Sequence, residues 1–205
     1  MAVAERVVIS GAGCCTALGH DLDSVARSLR EGHDAFRASA ALEGLSVCPA
    51  EDWGQDEARQ QFEGWRHRHY LNRGSRMAVL SGLRALRDAG LEAGLPARSQ
   101  IVTAVGPMLD VTGEPGLPPQ DTATLGALWL LRWLPNTAAG ALARFCRCHG
   151  EALTVNAACA SALQALGEGW RRIRFGLADA VLVAAGDSRL SLGGLLGYHK
   201  ARALS

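Results

Sequence analysis

Four short apolar runs, Val7-Val-Ile-Ser10, Ile101 to Gly106, Leu153-Thr-Val155 and Ala180 to Gly186, constrain this chain more than any other feature. None alternates cleanly between apolar and polar residues, and stretches of helical spacing separate them. Strands of that kind are buried on both faces, which requires helices above and below their sheet. The expected class is therefore α/β, in layers of helix, sheet and helix. With 205 residues, 48% of them hydrophobic, the chain has enough apolar surface for one domain with a sizeable core.

Local signals place the helices. Beyond Asp21 and Asp23, either of which suits an N-cap, Leu22, Val25 and Leu29 fall at helical spacing. A longer helix is expected from Ser75 to Ala89, stopped by Gly90. Met77, Ala78, Leu80, Leu83 and Leu86 line its apolar face, and Arg73, Arg76, Arg84 and Arg87 share the other. Two more helices are expected over about 122–133 and 137–148, broken by Pro135. Another follows Cys159, with Leu163, Leu166, Trp170 and Ile173 along one stripe and Gly176 at its end. Residues 38–61 lack periodicity and read as irregular. Gly113 to Pro119 reads as a loop, because proline continues neither a helix nor a central strand. Gly193, Gly194 and Gly197 suggest a mobile connection near the end.

Composition narrows the partners. A net charge of +1 offers no electrostatic case for nucleic acid or a membrane surface. No apolar stretch approaches the roughly 20 residues that span a bilayer. Met1-Ala-Val-Ala-Glu-Arg6 lacks the charged region and cleavage site of a signal peptide, so a cytoplasmic protein is expected. The six cysteines show no disulfide-framework spacing. Cys146-Arg-Cys148-His149 has no second ligand pair at finger-like spacing, and no metal is expected there.

Two segments carry candidate chemistry. Gly11-Ala-Gly13-Cys-Cys-Thr16 approaches a dinucleotide-binding fingerprint. It lacks the small residue at Thr16, the immediate helix, and the acidic residue at a strand end about 20 positions on. The plainer reading is a tight turn beneath packed neighbours. The second segment is Cys159. A buried strand ends near Val155, small residues follow, and the cysteine opens a helix, where unpaired N–H groups and the macrodipole favour a thiolate. Ala157, Ala158, Ala160, Ser161 and Ala162 leave room for a reactive sulfur and a substrate chain. The alternative is a buried, inert cysteine. No Gly-x-Ser-x-Gly elbow offers a serine nucleophile.

These residues resemble the β-ketoacyl synthases, condensing enzymes of the thiolase fold. Arg6-Val-Val-Ile-Ser-Gly-Ala-Gly13 with Thr16-Ala-Leu-Gly19 is similar to the family's first strand and turn, and Ser75 to Leu91 to its long helix. Leu134-Pro-Asn-Thr137 and Gly150 to Ser161 are similar to its approach to the nucleophile. Gly176 to Gly186 and Ala201-Arg-Ala-Leu-Ser205 are similar to its next strand and loop. Shared order and spacing make the resemblance specific over nearly the whole chain.

The resemblance implies thiolase-like αβα layers, with residues 1–205 as the amino-terminal half only. It implies that Cys159 accepts an acyl chain from an acyl carrier protein for decarboxylative condensation with a malonyl thioester, with its own backbone N–H as one oxyanion donor. Leu109 and Trp133 would line or gate the acyl pocket, and Arg66, Arg68 and His69 would meet the acidic carrier protein. Both roles have plain alternatives, core packing for the first pair and a solvated surface run for the second. No cofactor is implied, and a homodimer or a heterodimer with a synthase subunit is. Ala157 departs from the family's usual threonine, and Gly106-Pro-Met-Leu109 departs from its glycine-rich stretch. The family's two catalytic histidines and lysine lie in the other half. His199, the sole histidine after Cys159, stands where none of them is expected. Two alternatives stay open: a non-catalytic, chain-length-factor-type subunit, and a nucleotide-binding α/β domain.

Overall fold

Residues 6–39, 43–51, 53–106 and 127–204 are described by the structure, a computed structural model. In chain order the elements are α1 (Leu22–Arg30), β1 (Arg37–Ala38), β2 (Ser46–Val47), α2 (Gln55–Gln61), α3 (Arg73–Asp88), β3 (Ser99–Val105), α4 (Thr137–Phe145), β4 (Ala152–Thr154), α5 (Ser161–Arg174), β5 (Ala180–Gly186) and α6 (Leu192–Lys200). Short 3-10 turns stand at Arg68–Tyr70, Trp129–Arg132 and Ala158–Ala160. The chain divides into two compact units. The first takes Met1–Cys15, Arg73–Gly106 and Pro135–Asp187, and the second the remainder.

In the first unit β4, β3 and β5 form a parallel sheet in that order, with Val102 opposite both Leu153 and Val183. Alternate side chains point to opposite faces. On one face Val102 and Ala104 pack with Val155, Val181, Val183 and Ala165 of α5. On the other, α3 and α4 close in. A Cβ placed on Gly82 of α3 would lie 3.0 Å from Leu142 of α4 and 3.6 Å from Ala184 of β5. The αβα layering expected from the apolar runs is present. α3 stops where expected: Gly90 takes φ +70°, and the Leu91 N–H donates to the Leu86 carbonyl at 2.8 Å.

The stripe of large apolar residues on α5 does not face the sheet. Ala165, Gly169 and Arg172 are its buried residues, whereas Leu163, Leu166 and Trp170 are 75%, 45% and 50% exposed. Close approach explains the choice. A Cβ on Gly169 would sit 2.8 Å from Val183 Cγ2, so only the small-residue face lets the helix lie this near the sheet. The large apolar residues turn outward and leave an open apolar face.

Arg172 is the polar fastener of this layer. Its guanidinium donates to Glu151 at 2.7 Å, to Glu168 at 2.9 Å and to Gln100. Hydrogen bonding and charge from Arg172 hold the Glu151 carboxyl below its ordinary range, and bonds from Arg171 and Arg172 do the same for Glu168. Depressed carboxyl values contribute stability above the unfolded value near 4.5, and that contribution is lost as pH falls through the folded value. Arg172→Ala should therefore lower stability at pH 7 by about 1 to 2 kcal/mol, mostly by removing its buried stem, because water can take over the hydrogen bonds to the exposed carboxylate of Glu151. The difference between variant and parent should shrink below about pH 4 in denaturant titrations.

Three further expectations are corrected. Val7 to Ser10 forms no strand; Val8 and Ile9 are 66% and 76% exposed. The segment leads along α3, where a Cβ on Gly11 or Gly13 would meet the backbone at 2.4 and 2.3 Å, and the Ala12 N–H donates to Asp88. Apolar sequence favours a strand, but a ladder also needs an adjacent edge, and the described residues bring none beside it. Gly193, Gly194 and Gly197 lie inside α6, which Ser191 caps through the Gly194 N–H. A good cap and three leucines outweigh their helix cost. Residues 127–133 hold only a 3-10 turn; the rest of the helix expected over 122–133, and the loop at Gly113 to Pro119, lie outside the described residues.

The second unit holds α1, whose capping box joins Asp21 and Ser24, as expected from Asp21. Residues 38–61, read as irregular, hold β2, the end of its antiparallel partner β1 and the short helix α2. Elements this short give too little period to see in sequence.

Candidate active site

The site is built at the carboxyl end of β4, where parallel α/β sheets place their ligands. The Val155 N–H donates to the Thr103 carbonyl at 2.8 Å and carries the ladder one residue past the strand. The chain then turns sharply. Ala158 takes φ +48°, a left-handed conformation that costs an alanine about 1 to 2 kcal/mol. Cys159 stands next, in the 3-10 turn Ala158–Ala160 ahead of α5 rather than as the first residue of that helix. Its side chain is exposed. The Ser161 hydroxyl accepts from the Ala157 N–H and donates to the Ala158 carbonyl, each at 2.7 Å. Sequence reading noted Ser161 only as small. The signal available was a hydroxyl two positions after Cys159, where a strand turns into a helix.

The other thiols have different surroundings. Cys146 is buried and donates to the Leu142 carbonyl; burial, with Cys148 beside it, pushes its thiol up to about 11. Cys148 is buried and donates to the Ser99 carbonyl at 3.2 Å. Arg84 donates to Cys15 Sγ at 3.1 Å, and Cys48 is exposed. At pH 8 a thiol near 11 is thiolate for only roughly one part in a thousand. Iodoacetamide on the folded chain should therefore label exposed Cys159 well before buried Cys146, read by peptide mapping. Cys146 labelling ahead of Cys159 would contradict both environments.

The remaining expected residues fall in the second unit. Arg66, Arg68 and His69 are brought together, all exposed, at the 3-10 turn Arg68–Tyr70. The Arg68 guanidinium donates to the Trp65 carbonyl at 3.1 Å, and the His69 ring lies 3.9 Å from that of Tyr70. Tyr70 in turn donates to the Ala127 carbonyl. Trp133 is half-buried and closes the turn Trp129–Arg132. Leu109 lies outside the described residues. Gly11 and Gly13 pack against α3 with no strand before them and no helix directly after, so the dinucleotide fingerprint has neither of the elements it needs.

The first unit is a three-layer αβα fold with an exposed cysteine just past the carboxyl end of a parallel strand. Residues 4–205 match the model of the β-ketoacyl synthase N-terminal domain, and the chain belongs to that family. It is 26% identical to nodulation protein E of Rhizobium leguminosarum bv. trifolii, over 98% of this chain and 51% of that protein. It is 24% identical to 3-oxoacyl-[acyl-carrier-protein] synthase 2 of Vibrio harveyi, over 98% and 50%. The chain thus spans about half the length of the curated relatives it matches. The ishigamide ketosynthase/chain length factor shares its fold with a TM-score of 0.78 at 22% identity, covering 99% of this chain and 52% of the other.

Proposed function

We propose that this chain is the acyl-accepting half of a β-ketoacyl-ACP synthase acting in fatty-acid or polyketide synthesis. The observation that carries the reading is Cys159, exposed on a hydrogen-bonded turn at the carboxyl end of β4. Its thiolate attacks the carbonyl of an acyl thioester and a new carbon–sulfur bond forms. The carbonyl electrons move onto oxygen, where the Cys159 N–H is a donor. Collapse breaks the bond to the carrier's sulfur, which leaves as a thiolate and takes a proton from water. Leu109 and Trp133 line the acyl pocket, and Arg66, Arg68 and His69 receive the acidic acyl carrier protein. A reducing cytoplasm keeps the thiols free.

Decarboxylation of the malonyl thioester needs proton and charge handling that falls to the synthase's other half. That half, or a subunit carrying it, covers the open face of α5 and completes a homodimer or heterodimer. The second reading, a non-catalytic subunit that shapes a partner's pocket, draws on the shared fold with the ketosynthase/chain length factor. One assay separates them. Incubated with octanoyl-N-acetylcysteamine, the chain should gain an octanoyl group at Cys159 by mass spectrometry, yet form no β-ketoacyl product with a malonyl thioester. Product formed by the chain alone would refute the division of roles, and no acylation of Cys159 would favour the second reading.

A further inference from the structure

We infer that Ser161 is a positioning residue for acyl transfer, setting the direction of the Cys159 backbone N–H; the inference rests on the acyl-accepting reading above. Its hydroxyl is used in both senses, accepting from the Ala157 N–H and donating to the Ala158 carbonyl at 2.7 Å each. Between those two pinned backbone groups lie the φ and ψ angles of Ala157 (−137°, 39°) and the left-handed φ of Ala158. Alanine gains nothing intrinsic from that left-handed state, so the surroundings must hold it. α5 does not hold it alone: its N-cap, Ala160, makes no side-chain bond. The Ala160 N–H to Ala157 carbonyl bond at 3.1 Å closes the 3-10 turn. The Ser161 backbone N–H reaches the Ala158 carbonyl as well, so Ser161 holds that oxygen through two donors, backbone and hydroxyl, and the Ala157 N–H through the hydroxyl alone.

Peptide planarity turns this clamp into a catalytic matter. The Ala158 carbonyl and the Cys159 N–H belong to one trans peptide and point in opposite directions. Fixing the carbonyl with the Ser161 hydroxyl therefore aims the N–H that receives the oxyanion. Without the hydroxyl the carbonyl keeps only the Ser161 backbone N–H and the Ala157 N–H loses its acceptor, so the peptide plane tilts, and a misdirected donor loses much of its worth in the transition state. Simple alkylation of the sulfur forms no oxyanion and is indifferent to that plane.

The test compares two reactions at one sulfur. In the 205-residue chain, Ser161→Ala should slow acylation of Cys159 by octanoyl-N-acetylcysteamine roughly tenfold or more, while alkylation by iodoacetamide stays within about threefold. Ser161→Thr, which keeps the hydroxyl, should recover most of the acylation rate and serves equally if the alanine variant folds poorly. Acylation of Ser161→Ala at the parental rate overturns the inference, and so does a parallel fall in both reactions, which would mark a general collapse of the turn. A parent chain that is alkylated but never acylated at Cys159 overturns the acyl-accepting reading itself, a result distinct from either.

Discussion

Cys159→Ala should reduce acyl transfer onto the chain by about a thousandfold or more, with the melting temperature almost unchanged. The size of the effect follows from the chemistry. A covalent intermediate cannot form without its nucleophile, and removing the attacking residue of a covalent catalyst leaves only binding and oxyanion contributions. The mildness of the structural effect follows from exposure. Cys159 lies on the surface of its turn, and substitutions at such places usually stay within about 0.5 kcal/mol. Label from a radioactive or mass-tagged acyl thioester should therefore vanish from a folded protein. Retained label at parental stoichiometry would move the nucleophile to another thiol, with exposed Cys48 the first to examine.

The second large effect separates the two apolar surfaces. Leu142 is fully buried, with its methyl groups against Gly82 between α3 and α4. Leu142→Ala should cost about 3 kcal/mol, because the cavity forms between helices that cannot collapse independently. Leu163→Gln on the outer face of α5 should cost little in the isolated chain, since Leu163 is already 75% exposed. Its effect should appear on assembly, where a polar side chain would be buried against the partner proposed for this face. Urea titration of the chain alone, then co-purification with the complementary synthase half, measures the two. Equal destabilisation of the isolated chain by both substitutions would show that α5 is covered by the chain itself.

Much of the fold was legible because it depends on neighbours in sequence. The apolar runs at Ile101, Leu153 and Ala180 became strands, Asp21 capped its helix, and Gly90 took the left-handed stop that only glycine adopts at little cost. The place of Cys159 in the fold, among small residues between a strand and a helix, was legible for the same reason. The expected docking residues Arg66, Arg68 and His69 proved adjacent in space mainly because they are adjacent in sequence.

What tertiary structure alone decided concerns close approach and the supply of partners. Periodicity showed that α5 has a stripe of large apolar residues, and hydrophobicity alone pointed that stripe at the sheet. The 2.8 Å approach permitted by Gly169 reversed it and put the large residues outside. Val7 to Ser10 has the composition of a strand, yet a strand exists only where another edge meets it. The left-handed Ala158 is the plainest instance. Nothing in an alanine announces φ +48°; its carbonyl accepts from both the backbone N–H and the hydroxyl of Ser161, three residues on, across the turn that presents Cys159.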